Sequence, residues 1–208
     1  MHKCLPTRSV LSSRDDSPSP ICVRCEKQQE TFIHVFQCKC QQNKANHRQC
    51  IAKLRQNLRR ALTHPLIVNA VDMLLTGFHM GRKSPYARPP LRDATKIRAV
   101  EQVYRQQQCL GAEALARGFI SRNWMVVQNL CDQTQDKEHK NVGWIRKFIK
   151  SIWVYSYEMW GLRCKQTYAS SKENEENLNR QELLLLEIEN NSRVLIISTR
   201  CALLDVKI

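Results

Sequence analysis

Cys22, Cys25, His34 and Cys38 stand in one short segment with the spacing Cys-x2-Cys-x8-His-x3-Cys. Three thiols and one imidazole are a donor set that zinc takes tetrahedrally in structural sites. The x2 spacing lets one tight turn aim both sulfurs at one metal. The x3 spacing puts His34 and Cys38 on the same face of one helical turn. The residues between them, 26–33, are just enough to bring the chain back. Four protein donors leave no open position, so a zinc ion held here is structural and not catalytic. Cys40 is the alternative fourth ligand; Cys38 fits the spacing better, and both stay open at this level. The plain alternative is a set of reduced cysteines that bind nothing. His47 and Cys50 make a second i, i+3 pair but have no further partners nearby. They read as helix-surface and core residues. His2, His64, His79 and His139 stand alone and read as surface residues.

The second chemical signal is charge. Lys and Arg number 33 against 19 Asp and Glu, a formal net charge of +14 over 208 residues. Such an excess favours a polyanionic partner, nucleic acid or an anionic membrane surface. Between Glu30 and Asp72 there is no acidic residue. Arg24, Lys27, Lys39 and Lys44 flank the ligand segment. Arg48, Lys53, Arg55, Arg59 and Arg60 share the polar side of a helix read over 44–62, whose Ile51, Leu54, Leu58 and Leu62 recur at helical spacing. Lysine and arginine contact phosphates without reading bases, so the expected partner is RNA or DNA bound non-specifically. Few aromatic residues interleave these cations, which argues against base stacking there. A solvated amphipathic helix is the bland reading of the same pattern.

Catalytic sets are missing. The sequence has no P-loop, no dinucleotide fingerprint, no nucleophile elbow and no paired aspartates after an apolar strand. No enzyme activity and no small-molecule substrate are expected. Ten cysteines invite a disulfide framework, but residues 1–20 hold no secretory signal and the cysteines are unevenly spread. A reducing compartment, nucleus or cytoplasm and not the secreted space, fits better. No apolar run is long enough to span a bilayer.

The positioning elements follow from periodicity. Residues 1–20 read as a polar lead-in, 21–40 as a zinc-knuckle-like module, and 41–76 as a basic helix followed by an apolar one. Residues 77–92 read as a loop, and 93–208 as a helical body. The fold class is mainly α, a small N-terminal zinc knuckle followed by a helical bundle-like body. The 41–76 pair breaks at His64-Pro65. Asp93 caps a helix to about residue 108, Gly111 interrupts it, and a shorter helix covers 121–131. Residues 132–140 read as a charged loop. The longest helix covers 141–169, with Ile145, Phe148, Ile149, Ile152, Tyr155 or Ser156, Met159, and Leu162 or Arg163 inward. Trp124, Trp144, Trp153 and Trp160 read as core anchors, and Arg163 as stacking on Trp160. A last helix starts near Ser171, and its Leu183 to Leu186 run is a candidate for self-association. That feature carries the alternative reading, an all-α interaction or assembly module without nucleic-acid binding. Ile21, Val23, Phe32, Ile33, Val35 and Phe36 are too few to fold 21–40 unaided. Metal binding is therefore expected to carry much of the folding free energy of 21–40, so that chelation unfolds that segment and leaves the helical body largely intact.

The residues also carry a resemblance. His2-Lys3-x-Leu5-Pro6-Thr7, Cys22-x2-Cys25, Glu30-Thr31 and His34-Val35-Phe36-x-Cys38 resemble the zinc-knuckle segment downstream of reverse transcriptase in some non-LTR retrotransposon polyproteins. Leu110-Gly111-x6-Gly118-x-Ile120-x3-Trp124 and Trp153-x6-Trp160-x2-Arg163 resemble the helical tail of such polyproteins. The likeness covers most of residues 2–190. Three departures stand out: Ala112 replaces an expected aromatic, Cys164 replaces a polar residue, and no His-Gly follows. The resemblance implies a retroelement-derived reverse transcriptase tail. It does not imply retained activity, and a non-functional remnant is among its readings.

Overall fold

Several helix starts in this chain are set by local side chains. The computed structural model describes residues 6–16, 19–89, 93–132 and 138–167, with side chains in the last stretch from Gly143 to Gln166. Thr7 accepts from the Val10 N–H and starts α1, Arg8–Ser12. Thr31 accepts from the His34 N–H and starts α2, Phe32–Gln37. The basic helix, α3, is Gln41–Arg60, and α4 is Pro65–Met80 with Pro65 in its first turn. Asp93 accepts from the Lys96 N–H ahead of α5, Ala94–Leu110. Then follow α6, Ala112–Ala116, α7, Asn123–Asp132, and α8, Glu138–Thr167. Side-chain caps of this kind satisfy backbone donors that a helix leaves open at its start.

The fold is mainly helical, and the described residues contain no strand beyond one isolated bridge pairing Ile21 with Gln29. Three boundaries differ from the sequence reading by more than two residues. The apolar helix does not stop at residue 76. Gly77 is buried inside it, and the stop is Gly81, in the left-handed region at φ 70°. The basic helix begins at Gln41, not at 44. The long helix begins at Glu138, inside what reads as a charged loop. The expected helix from Ser171 and its leucine run lie outside the described residues.

The core forms where α8 packs along α3 and also against α2, α6 and α7. All four tryptophans are buried, as the helical spacing predicts, and so are both Tyr155 and Ser156. The polar cross-links are buried amides. Gln107 on α5 accepts from the Ser121 N–H and the Trp124 indole and donates to the Phe119 carbonyl. Gln128 on α7 holds the α3–α4 turn, donating to the Leu62 carbonyl and accepting from the His64 N–H. Trp144 adds a bond to Thr63 Oγ1 at 3.1 Å. Gly118 has φ +87°, and a Cβ there would lie 2.0 Å from Trp153 Nε1. Only glycine lets the indole approach and donate to the Arg117 carbonyl.

Leu62, at the end of α3, is 81% exposed and sits at φ 58°. The left-handed region costs an L-residue about 1–2 kcal/mol, and this side chain buries little to offset that. Leu62→Gly is expected to stabilise the fold by about 1 kcal/mol, read as a higher urea midpoint at unchanged m-value. An unchanged or lower midpoint contradicts this account of the turn.

Candidate metal centre

The chain around Cys22 folds as a tight hairpin. Pro20 accepts from the Glu30 N–H, the Gln28 carbonyl accepts from the Cys22 N–H, and the Cys22 carbonyl accepts from the Glu26 N–H. Glu26 takes φ 54°, which reverses the chain directly after Cys25. The reversal aims the N–H groups of Lys27 and Gln28 at the Cys25 sulfur. The second pair of donors comes from α2, with His34 inside the helix and Cys38 as its C-terminal cap.

The donor atoms of Cys22, Cys25, His34 and Cys38 all lie within 4.8 Å of one another, and Cys25 Sγ is 3.3 Å from His34 Nε2. A tetrahedral ion with arms of about 2.3 Å needs ligand–ligand edges of about 3.8 Å. The four residues therefore lie close enough to hold a metal ion. Cys22, His34 and Cys38 are buried and Cys25 is half-buried. Of the two candidates for the fourth position, Cys38 belongs to the cluster and Cys40 does not.

The thiol electrostatics fit a cation. Burial alone would push Cys25 up. The Lys27 and Gln28 N–H groups and the Cys38 and Cys22 thiols outweigh it, and the Cys25 thiol sits below its ordinary value. Burial pushes Cys38 up to about 12, against the Cys40 N–H and Arg24, which favour its thiolate. Burial and then Arg24 hold His34 down, in the neutral form that ligates. Among protein groups alone, a second buried thiolate here is unfavourable. A bound dication reverses that balance and displaces the thiol protons. The N–H···S bonds from Lys27, Gln28 and Cys40 are the outer partners that orient ligating sulfurs.

The surroundings explain why Glu30 and Thr31 accompany the ligands. Thr31 caps the helix that carries His34. Glu30 is fully buried and accepts from Arg163 Nε at 3.0 Å, from Arg163 Nη2 and from the Arg8 N–H. Arg163 also lies over the Trp160 ring at 4.7 Å, the stacking expected for it. Asn43, fully buried on α3, donates to the Phe36 and Cys38 carbonyls, both at 2.9 Å. Sequence reasoning missed the Glu30–Arg163 pair and Asn43.

The hairpin and α2 do not form a separate core; their apolar residues are too few for one, as the sequence suggests, and the buried ones join the helical body. Ile21, Val23 and Ile33 are exposed. Val35 and Phe36 are the buried apolar side chains, and Phe36 packs against Phe78 of α4 and Tyr155 of α8. Gln37 donates to the Phe78 carbonyl at 2.8 Å, and His79 Nδ1 donates to the Phe36 carbonyl at 2.6 Å. The physical reason is size: two large side chains cannot close a core, so they join the body's. His79 is accordingly buried, not on the surface, and stacks on His47 with centroids 4.0 Å apart. His64 is half-buried, and its Nδ1 accepts from the Leu66 N–H at the start of α4. Cys50 is buried as a core residue, and His47 joins it there.

The nine expected nucleic-acid contacts divide into three groups. Lys27, Lys39, Lys44, Arg48, Arg59 and Arg60 are exposed and form no ion pair among the described residues. Lys53 and Arg55 are exposed but paired, Lys53 with Glu158 at 3.0 Å and Arg55 with Asp72 at 2.5 Å. Arg24 leaves the expected set. It is half-buried, with its guanidinium donating to Asn43 Oδ1 and to the Val35 carbonyl.

Fold and centre together define a mainly helical protein with a Cys3His cluster near its N-terminus. No protein-family model, curated protein or solved structure matches the chain. No helix among the described residues is long and apolar enough to cross a membrane.

Proposed function

We propose that the Cys3His centre holds one structural Zn2+ and that the protein is a non-catalytic nucleic-acid-binding module. It contacts RNA or DNA through phosphates, without sequence preference. Zinc is the ion that three thiolates and one imidazole select, and four protein donors close its coordination. The observation that carries the binding reading is the exposed cation row on α3. Lys44, Arg48, Arg59 and Arg60 run along one helix that starts beside the centre, with Lys27 and Lys39 next to the ligands. From Lys44 to Arg59 the row spans about 22 Å at 1.5 Å per residue, enough to follow several phosphates. The resemblance to a retrotransposon reverse transcriptase tail supports a retroelement origin.

Fluorescence anisotropy with a short duplex and a single strand, at several salt concentrations, tests the reading. The logarithm of the binding constant should fall linearly with the logarithm of salt. The chain carrying Arg48→Glu, Arg59→Glu and Arg60→Glu should bind at least about tenfold more weakly. Affinity indifferent to salt, or equal affinity in the charge-reversed chain, overturns it.

A further inference from the structure

We infer that Arg82 and Lys83, on the turn after α4, form a second phosphate-binding arm with Lys39. A nucleic-acid strand that follows α3 continues across the α2–α3 joint onto this turn. The inference rests on the nucleic-acid reading above and extends its contact surface to a second element.

The fold brings the ends of α2 and α4 together. Gln37, the last residue of α2, donates to the Phe78 carbonyl at 2.8 Å, and Lys39 Nζ donates to the Met80 carbonyl at 3.4 Å. Lys39 therefore lies on the last turn of α4. Arg82 is two residues beyond Met80, a chain distance of at most about 7 Å. Lys44, in the first turn of α3, carries the charge on towards the α3 row.

The turn is fixed in place. Gly81 reverses the chain at φ 70°, and the Arg82 N–H donates to the Gly77 carbonyl at 3.0 Å. The Arg82 carbonyl lies against Gly77, where a Cβ would meet it at 2.9 Å. Beyond Lys83, the Ser84 carbonyl accepts from the Tyr104 hydroxyl and from Gln108 Nε2, both at 2.7 Å. The backbone is thus pinned on either side of Lys83, while Arg82 and Lys83 are both exposed. A backbone already ordered lowers the entropy cost of binding.

The charge on this surface is uncompensated. No acidic residue stands between Asp72 and Asp93, as none stands between Glu30 and Asp72. Glu30 is buried against Arg163, and Asp72 is held by Arg55 and Thr76. Arg82 and Lys83 form no ion pair among the described residues. The negative pole of α4 does not absorb them either. Its Gly77, Phe78 and Met80 carbonyls are taken by Gln37, Lys39 and the Gly81 and Arg82 N–H groups. Cations anchored this close together, with a Debye length of about 8 Å at physiological salt, repel one another, and a phosphate chain relieves that repulsion. They run as a track from α3 to the turn, which fits a phosphodiester chain.

The test uses the full zinc-supplemented chain and a fluorescein-labelled oligonucleotide, single-stranded and duplex, in anisotropy titrations at several salt concentrations. Arg82→Gln with Lys83→Gln is compared with Arg98→Gln with Arg122→Gln. The second pair removes the same charge from exposed positions in the first half of α5 and just ahead of α7. All four residues are exposed, so both pairs should keep the parent's urea midpoint. The turn pair should bind at least about tenfold more weakly, with a salt slope shallower by about 1.8 on the duplex and about 1.4 on the single strand. The control pair should stay within about twofold of the parent. If the α3 charge reversals weaken binding but the turn and control pairs bind alike, this inference is overturned and the binding reading stands. A parent that binds neither probe overturns both. If the turn pair loses binding to phosphatidylserine vesicles and keeps the oligonucleotide, the surface faces a membrane and the inference is also overturned.

Discussion

Glu30→Gln is expected to cost the fold about 3–5 kcal/mol, the range found when one partner of a buried ion pair is removed. Glu30 and Arg163 are both fully buried, and the carboxylate accepts from two guanidinium nitrogens and from the Arg8 N–H. Glutamine keeps the size but not the charge, so the guanidinium stays in the core without its counter-ion. The pair also ties the segment before α2 to the last turns of α8, across 133 residues of chain. Urea unfolding of the zinc-loaded chain reads the loss. The double variant Glu30→Leu with Arg163→Met should recover much of it, because apolar side chains of similar volume can replace a buried pair. A Glu30→Gln midpoint within about 1 kcal/mol of the parent contradicts the burial of this pair.

Acid is expected to remove stability through His47. Burial, then the stacked His79, then Arg55 hold its pKa down to about 3, against an ordinary 6.5. The neutral ring has both nitrogens placed: Nδ1 lies 3.0 Å from the Tyr155 hydroxyl and Nε2 lies 3.4 Å from Thr76 Oγ1. Thr76 donates to Asp72, so His47 Nε2 carries the proton and Nδ1 accepts from tyrosine. In the unfolded chain the ring takes up a proton below pH 6.5, while in the fold it stays neutral to about pH 3. The contribution is therefore complete above pH 6.5 and is lost progressively as pH falls from 6.5 towards 3. Its full size is about 4–5 kcal/mol, of which about 2 kcal/mol is gone by pH 5. Denaturant titrations at pH 7 and pH 5 on parent and His47→Gln chains isolate it. The parent should lose about 2 kcal/mol more than the variant between those two pH values. Equal pH dependence in the two chains contradicts a buried neutral His47.

What the sequence makes legible here is local. The ligand spacing identifies the four clustered donors, because a two-residue turn and one helical turn fix where those side chains point. Asp93, Pro65 and Gly111 mark helix ends for the same reason: capping depends on residues within one turn. The four tryptophans are legible as core from their helical spacing. The illegible part is long-range. Periodicity gives Glu30 no partner 133 positions away, and Arg163 reads only as a neighbour of Trp160. Asn43, Gln107 and Gln128 are polar residues on which apolar periodicity is silent, yet each is buried because it serves carbonyl or N–H groups on another element. His79 is misread in the same way, since the carbonyl it serves belongs to Phe36. The apolar residues of the hairpin mislead in the opposite sense. Ile21, Val23 and Ile33 are apolar, yet they are exposed, because a hairpin and six helical residues have no interior to put them in.

Zinc content is the most direct measurement of the central claim. The full chain, purified reduced and with zinc supplied during expression, should carry one zinc by elemental analysis. X-ray absorption should show three sulfurs at about 2.3 Å and one nitrogen at about 2.0–2.1 Å. Cys22→Ser should lose the stoichiometric ion, and Cys109→Ser, altered at an exposed cysteine outside the cluster, should keep it. A parent chain without zinc, or a Cys22→Ser chain holding as much zinc as the parent with the same sulfur shell, would contradict the account.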